Sequence, residues 1–202
     1  GVSWTKVESL SSEVEHYAMD FVNADTGVIV GQKGYREWVV LNTVDGGATW
    51  NEEVVAQENV TMLDVFFADD STVFMAGRSG YVFRSQDAGF TWEEVARLES
   101  AGFTYLINWS LHFEDSKRGW MASALPGKEL IYIHRTVDGG ENWTREIRST
   151  LVGTNIDINH ILFDESGTGW SCGSRNPSGA AQGAYVLKRV PVVLPEAFCK
   201  DT

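Results

Sequence analysis

Hydrophobic and polar residues alternate along short segments of this chain, and these segments recur at a regular spacing. In the first copy, residues 17–21 alternate between apolar and polar, the period of two that is typical of a half-buried β-strand. A turn rich in Asn, Asp and Gly follows at 23–27, and further apolar strands are expected at 28–30, 37–41 and 49–55. Four short antiparallel strands in about 46 residues are typical of one β-propeller blade.

The same strand pattern occurs four times. Each copy is marked by a phenylalanine that ends an apolar run and precedes an acidic or Asn-containing turn: Phe21, Phe67, Phe113 and Phe163. Ten residues after each of these comes a small residue: Gly31, Gly77, Ser123 and Gly173. The steps between the phenylalanines are 46, 46 and 50 residues. We therefore predict an all-β protein, a small β-propeller of four four-stranded antiparallel blades.

A second motif, Ser/Thr-x-Asp-x-Gly-x-Thr/Asn-Trp, occurs at 43–50, 85–92 and 136–143. We expect its Asp to accept backbone N–H bonds within its own turn, its Gly to adopt positive φ, and its Trp to fill the gap between neighbouring sheets. A metal-binding or catalytic role for the Asp is the alternative. The residues assigned to the structural role are Asp45, Gly47, Trp50, Asp87, Gly89, Trp92, Asp138, Gly140 and Trp143.

The two ends of the chain each resemble part of a blade. Residues 1–7 match the second half of the motif and its strand, whereas 185–190 match the strand that leads into the third motif. Pro191 then stands where an Asp is expected. We predict that an N-terminal strand at 2–8 completes the last blade and closes the ring, which removes two unpaired sheet edges. An eight-bladed ring made by two chains and a fragment of a longer propeller are the alternatives.

These matches predict one propeller domain over residues 1–190 and a C-terminal tail over 191–202. Four copies of about 46 residues occupy most of the chain. The blades are expected at about 14–56, 60–98, 104–148 and 155–190, the last with strand 2–8 added.

The net charge of −12, from 28 acidic and 16 basic residues, opposes contact with phosphate backbones and anionic lipid heads. Nucleic acid and membrane surfaces are therefore disfavoured as partners, and no apolar run reaches the roughly 18 residues of a spanning helix. A soluble acidic surface explains the charge, which also permits basic protein partners.

Two cysteines, Cys172 and Cys199, are too few and too far apart for a zinc cluster. They either form one disulfide that fixes the C-terminal tail or stay free and buried. N-glycosylation sequons begin at Asn59, Asn108 and Asn142 and favour a secretory setting. We expect an extracytoplasmic location, whether secreted, periplasmic or lumenal.

Some polar residues of the innermost strands are candidates for a functional site. Asp64, Ser110 and His160 occupy the same position in successive copies and are expected to line a central channel, as a hydrated wall or as a mixed Asp/Ser/His site. A carboxylate pair for glycoside hydrolysis would have to come from Asp20, Asp64, Glu114, Asp115 or Asp164. No histidine pair has metal-ligand spacing and no Gly-rich phosphate loop is present, so neither a metal nor a cofactor is expected.

The repeated motif resembles the Asp-box (BNR) repeat families, which include sialidases, other exo-acting glycosidases, sortilin-type receptor ectodomains and photosystem II stability and assembly factors. The spacing F-x-[ND]-x-x-x-G-[VW]-x-x-G at 21–31, followed by T-x-D-G-G-x-x-W at 43–50, is most similar to the assembly-factor type. That resemblance implies a non-catalytic platform that binds a protein partner.

The sequence lacks the residues that form the active site of a sialidase. Such a site needs three convergent arginines, a Tyr nucleophile with its Glu, and an Asp acid/base, and the Arg-Ile-Pro segment before the first box is absent. We therefore predict that the chain is not an enzyme. The alternatives are a glycan-binding or glycoside-hydrolase-like module and a structural subunit of an extracellular assembly that forms a homo-oligomer.

Overall fold

The computed structural model describes residues 3–4, 6–7, 10–34, 37–56, 61–99, 106–125, 130–150, 156–175 and 183–190. In this part of the chain the backbone forms fifteen β-strands and one turn of 3₁₀ helix, Arg78–Gly80. None of the described residues forms a helix with the length and apolar character that a membrane span requires.

The strands form four antiparallel sheets, each built from strands that are consecutive in the chain. Blade 1 consists of β1 (Val14–Phe21), β2 (Gly27–Lys33), β3 (Glu37–Thr43) and β4 (Asn51–Ala56). Blade 2 consists of β5 (Met62–Phe67), β6 (Val73–Gly77), β7 (Tyr81–Ser85) and β8 (Glu93–Arg97). Blade 3 consists of β9 (Ile107–Phe113), β10 (Gly119–Leu125), β11 (Leu130–Thr136) and β12 (Thr144–Thr150). Blade 4 consists of β13 (Ile156–Phe163), β14 (Gly169–Arg175) and β15 (Gly183–Arg189).

The repeated phenylalanine has a local packing role. Phe21 pairs across the sheet with Gly27, and a Cβ at that glycine would lie 2.5 Å from the phenylalanine ring. Phe113 and Gly119 form the same pair in blade 3, where the corresponding distance is 2.4 Å. The ring therefore lies flat over the strand that follows, which explains why a glycine pairs with the phenylalanine in blades 1, 3 and 4, whereas Val73 takes this place in blade 2.

Neighbouring blades pack through their apolar faces. The innermost strands contact one another in the order β1, β5, β9 and β13. Val28 and Val30 of blade 1 belong to the same buried cluster as Phe67 of blade 2. Stacked ring pairs fill the next two interfaces, with centroids 3.8 Å apart for Phe74–Phe113 and 3.9 Å apart for Trp120–Phe163. These apolar layers are the main stabilising contacts between sheets.

The prediction of an all-β fold with repeated antiparallel sheets is confirmed, but closure of the ring by the N-terminus is not. Of segment 2–8, the described residues 3, 4, 6 and 7 belong to no sheet, and the Trp4 side chain is 100% exposed. Blade 4 has three strands in the part that the structure describes, and no packing like that between β1 and β5 joins β1 to β13 there.

The face of blade 1 that points away from blade 2 is covered by residues close to it in the chain. Ile29 and Leu41 are buried there against Leu10 and Trp50. Among the described residues no side chain of blade 4 belongs to this cluster, and closure of the ring stays a prediction. The domain limits, including the tail at 191–202, stay predictions.

Candidate functional site

The three Asp-boxes form turns of the same geometry. In the first, the Asp45 carboxylate accepts hydrogen bonds from the Thr49 N–H at 2.9 Å and the Thr49 hydroxyl at 2.6 Å. The Thr43 hydroxyl donates to Asp45 at 2.8 Å and accepts from the Gly47 N–H at 3.0 Å, and the Trp50 indole donates to the Gly47 carbonyl at 3.1 Å. Every bond of this set lies within eight residues.

The second and third boxes repeat these contacts. Asp87 accepts from the N–H and hydroxyl of Thr91, and Asp138 accepts from the N–H and side-chain amide of Asn142. Trp92 and Trp143 likewise donate to the carbonyls of Gly89 and Gly140. The glycines of the boxes have positive φ, as their turns require.

These hydrogen bonds stabilise the ionised form of each box carboxyl. The Thr49 hydroxyl and N–H, with the Thr43 hydroxyl, lower the pKa of Asp45 to about 2. Asn142 lowers the pKa of Asp138. Burial opposes ionisation of Asp87, but bonds from Thr91 outweigh it and lower the pKa of that carboxyl as well. The carboxylates are thus engaged by their own turns.

The predicted row Asp64, Ser110 and His160 is brought together across three innermost strands. The Ser110 hydroxyl lies 3.2 Å from His160 Nδ1, and it also hydrogen-bonds to Asp64. The serine therefore stands between the carboxylate and the imidazole, whereas a nucleophilic triad places the imidazole in the middle. The channel-lining role of these residues stays a prediction.

Two acidic residues of the innermost strands bind the backbone of the next blade. Asp20 accepts from the Phe67 N–H at 2.7 Å, and Asp64 accepts from the Leu111 N–H at 2.7 Å. Ser110 accepts from the Ile161 N–H at 3.3 Å at the following interface. Burial raises the pKa of both carboxyls, and the N–H bonds oppose that effect. These side chains join successive sheets, a function that sequence analysis missed, although their polar character within apolar strands was a visible signal.

The other candidate carboxylates lie in turns. Asp115 accepts from the backbone N–H groups of Lys117 and Arg118, and Asp164 accepts from those of Ser166 and Thr168. The pKa of each carboxyl is lowered. At Asp115, burial raises the pKa, but hydrogen bonds from the turn and the nearby charge of Arg118 outweigh that effect. At Asp164, the hydrogen bond from the Ser166 hydroxyl is the main cause of the lower pKa. Their low pKa values suit stable turns rather than a general acid.

An open groove lies between blades 3 and 4, next to these turns. Its volume is about 500 Å³, and its lining consists of His112, Glu114, Arg118, Phe163 and 164–167. Arg118 pairs with Glu114 at 3.4 Å. Burial, with the nearby charge of His160, lowers the pKa of His112. We name this the inner groove.

A second groove, of about 420 Å³, lies between blades 2 and 3. It is lined by 96–99, His134, 141–143 and Arg145. We name it the outer groove, since it adjoins β8 and β12.

The described residues contain no group of three or more His, Cys, Asp or Glu side chains that would hold a metal ion.

Asn108 of the second sequon is fully buried, which prevents glycosylation of the folded chain there, whereas Asn142 is exposed. Asn59 and Cys199 lie outside the described residues, and Cys172 is exposed.

Sequence comparison assigns the family. The sequence profile of the photosynthesis system II assembly factor YCF48 matches residues 1–98 and, in an overlapping second match, residues 54–168. The chain belongs to this family. The resemblance to the assembly-factor type inferred from the sequence is thus confirmed.

Curated relatives carry the same family name or function. The photosystem II assembly lipoprotein Ycf48 of Prochlorococcus marinus is 26% identical over 197 residues, which covers 89% of this chain and 54% of the relative. The chloroplastic photosystem II stability/assembly factor HCF136 of Arabidopsis thaliana is 31% identical over 131 residues, covering 58% of this chain and 31% of the relative. The chain spans about half the length of the first relative and about a third of the second.

Solved structures share the fold. YCF48 from Cyanidioschyzon merolae superposes with a TM-score of 0.63 at 21% identity, covering 91% of this chain and 59% of that one. A structure of YCF48 bound to D1 peptide gives a TM-score of 0.61 at 17% identity, covering 89% and 57%. The GH74 xyloglucanase of Xanthomonas campestris gives 0.59 at 14% identity, covering 87% and 29%. At these identities the similarity shows a common fold and gives no evidence about the activity of this chain.

Proposed function

We propose that this chain is a non-catalytic protein-binding module that acts in photosystem II assembly and binds an extended segment of a D1-type protein. The observation that carries the proposal is family membership: the YCF48 profile spans residues 1–168, and a relative with the same fold has been solved with a D1 peptide. Because the chain spans only about half the length of these relatives, the partner of this chain is a proposal and is not taken over from theirs.

The inner groove is the site at which we place the peptide. It is open, large enough for several side chains, and lies at a junction between two blades. Its charged lining contains three carboxylates, those of Glu114, Asp164 and Glu165, and one guanidinium, that of Arg118. This balance favours a peptide segment that carries Lys or Arg.

The absence of catalysis is supported by how the candidate acids are used. Asp20 and Asp64 accept hydrogen bonds from backbone N–H groups of the adjacent blade. Asp115 and Asp164 accept hydrogen bonds from backbone N–H groups of their own turns. Each of these carboxylates thus has a structural partner. Activity against a panel of fluorogenic glycosides would contradict this part of the proposal.

The test is binding of overlapping synthetic peptides that span the D1 sequence, measured by fluorescence anisotropy. We expect one region to bind. His112→Ala, which removes a wall of the inner groove, should weaken binding about tenfold, equivalent to roughly 1.4 kcal/mol. Arg97→Ala in the outer groove is the matched control and should leave the affinity unchanged. Failure of every D1 peptide to bind would refute the proposed partner, and equal effects of both variants would refute the proposed site.

The descriptions of the relatives also support a proposal about the compartment. Two curated relatives are described as a lipoprotein and as chloroplastic. We therefore place this chain in an extracytoplasmic or lumenal compartment. Protease protection in fractionated native cells would test it, since a cytoplasmic pool would be digested only after the inner membrane is opened.

A further inference from the structure

The outer groove contains a buried histidine at the end of a chain of hydrogen bonds. This groove, of about 420 Å³, lies between blades 2 and 3, away from the site proposed above for the peptide. Its volume falls within the roughly 300–1,000 Å³ that is usual for small-molecule sites. His134 of β11 lines the groove and is 7% exposed. The imidazole is therefore held inside the protein with one edge open to the groove.

The donor and the acceptor of each hydrogen bond in this chain can be assigned. The Tyr81 carbonyl can only accept, so the atom of Asn108 that lies 3.4 Å from it is the amide nitrogen. Asn108 Oδ1 then faces Ser123, whose hydroxyl donates to it at 2.9 Å. Because the single hydroxyl proton of Ser123 is used there, its oxygen accepts from His134 Nδ1–H at 3.4 Å. The chain thus fixes the tautomer of His134.

This tautomer makes His134 Nε2 a hydrogen-bond acceptor. Burial, with the charge of Arg145, lowers the pKa of His134 to about 4, so the imidazole is neutral at neutral pH. A neutral imidazole that is protonated at Nδ1 carries a lone pair at Nε2. In the part of the chain that the structure describes, no group donates a hydrogen bond to Nε2. Because buried polar atoms are normally hydrogen-bonded, this acceptor calls for a donor from outside the chain.

A guanidinium lies beside this acceptor. Arg145 of β12 pairs with His134 across the sheet, and directly paired residues place their side chains on the same face. Arg145 is exposed, and it forms no ion pair with any of the described carboxylates. Arg97 on the opposite wall instead has its guanidinium 4.3 Å from the centre of the Tyr81 ring in its own blade. Arg145 is therefore the cation that is available to a ligand in this groove.

We propose that the outer groove binds an acidic sugar, a ring with one carboxylate and several hydroxyl groups, such as a hexuronic acid. The carboxylate pairs with the planar guanidinium of Arg145, and a hydroxyl donates to His134 Nε2. Glu99 and Glu141 are exposed parts of the lining that accept further hydroxyls and repel a ligand with several negative charges. The half-buried Trp143 gives the sugar ring an apolar wall.

The first test is the tautomer of His134, measured by long-range proton–nitrogen NMR of the full chain with isotope-labelled histidine. We expect the Nδ1–H form in the free protein, assigned by the signals that His134→Gln removes. Methyl glucuronide should then shift the Nε2 resonance of His134. An Nε2–H tautomer in the free protein, or an Nε2 resonance that the ligand leaves in place, would overturn the proposal.

The second test compares ligands that differ by one group. Methyl glucoside lacks the carboxylate of methyl glucuronide, and cyclohexanecarboxylate lacks its hydroxyls. We expect methyl glucuronide to bind at least about tenfold more tightly than either, because each loses one of the two polar contacts. Equal affinities would contradict the proposal. N-acetylglycine offers a carboxylate beside an amide N–H, and tighter binding of this compound would assign the groove to a peptide C-terminus instead.

The third test uses charge-matched variants. Arg145→Gln should weaken binding of methyl glucuronide about tenfold or more. Arg78→Gln is the control, because Arg78 is also exposed and lies outside the groove lining, and it should retain the affinity. Circular dichroism establishes that both variants are folded, and equal losses would reduce the effect to general charge attraction and refute the site. Peptide binding by Arg145→Gln should be unchanged, which separates this outcome from that of the function proposed above.

Discussion

The second and third blades place different residues at the same repeat position, and each is packed in its own way. In blade 2 this position is Gly77, where an added Cβ would lie 1.8 Å from the Thr61 carbonyl oxygen. In blade 3 it is Ser123, whose hydroxyl donates to Asn108 Oδ1 at 2.9 Å and lies 3.4 Å from His134 Nδ1. In blade 2 the backbones of two strands therefore approach closely. Blade 3 instead contains three buried polar side chains, those of Ser123, Asn108 and His134, which we call the polar trio.

The difference shows how a repeat tolerates variation. Both blades have a bulge at this point of their innermost strand, between Met62 and Asp64 in one and between Asn108 and Ser110 in the other. A side chain at the small position is accepted in blade 3 because its polar atom finds partners inside the sheet. Buried polar groups are tolerated when they are hydrogen-bonded, so the serine requires its two neighbours.

The largest effect should come from Gly77→Ala. The new methyl group would collide with backbone that no side-chain movement relieves, and we expect a loss of more than about 3 kcal/mol in the free energy of unfolding. Gly34→Ala is the control for conformational strain without a close contact: its φ of +62° is unfavourable for alanine, whereas Gly77 is extended, and no atom lies within 4 Å of the Cβ that would be added at Gly34. That variant should lose about 1 kcal/mol. Urea denaturation measures both, and equal losses would show that the close approach in blade 2 is unimportant.

His134 should make the third blade acid-sensitive. Burial, with the charge of Arg145, lowers the pKa of His134 to about 4 from its ordinary 6.5. Between these values the unfolded chain binds a proton that the folded chain does not, so stability falls as pH decreases from about 7 to 4. The gap corresponds to on the order of 3 kcal/mol.

The check is the urea midpoint as a function of pH, compared with that of His134→Gln. The variant should have a flatter profile between pH 7 and pH 4. His112→Gln is the control, because burial and the charge of His160 also lower the pKa of His112. A slope that persists in His134→Gln and disappears in His112→Gln would assign the acid sensitivity to the inner groove instead.

Ser123→Ala should have an intermediate effect. It leaves Asn108 and His134 without their shared partner at a site where Ser123 and Asn108 are fully buried. We expect a loss of about 1–3 kcal/mol in unfolding free energy. Ser12→Ala on the surface is the control, with an expected change of less than about 0.5 kcal/mol. A neutral Ser123→Ala would mean that blade 3 accepts any small residue at this position.

The smallest effect concerns the boxes, which are alike in the compared blades and in blade 1, where Asp45 lies. The pKa of Asp45 is about 2, below its ordinary 3.8, so its stabilising contribution is complete above about pH 4 and is lost as pH falls towards 2. Asp45→Asn should remove part of the stability change between pH 4 and pH 2 while leaving the change between pH 7 and pH 4 intact. Thermal unfolding across both ranges separates the two contributions, and an altered upper range would contradict this assignment.

The parts of the structure that depend on neighbouring residues were predictable from the sequence. The box contains its own donors and acceptors, and the Phe–Gly pair joins adjacent strands, so both leave a spacing that can be counted. Contacts between blades were harder to predict, because the polar residues that make them occupy different positions in their copies. Asp20 binds the N–H of Phe67 and Asp64 that of Leu111, in each case 47 residues later, one more than the repeat step. The spacing is regular, but it is recognisable only once the two donor N–H groups are known.

The same reasoning explains why closure at the chain ends is not confirmed and why the polar trio of blade 3 was missed. Residues 1–7 resemble an outer strand because Trp4 and Gly1 match a box, yet sequence similarity does not determine which sheet edge a strand meets. The polar trio joins residues from β9, β10 and β11, and only the fold brings them together. Histidine and asparagine in apolar strands were its only signal.

The Asp-box turn also bears on how such chains evolve. Because all the hydrogen bonds of this turn lie within eight residues, a gene segment that encodes one blade carries the whole turn with it when it is duplicated. The apolar faces of the new copy still need neighbouring blades, since a single repeat cannot bury them alone. Selection after a duplication would therefore act mainly on the faces where copies meet, while the turn is passed on intact.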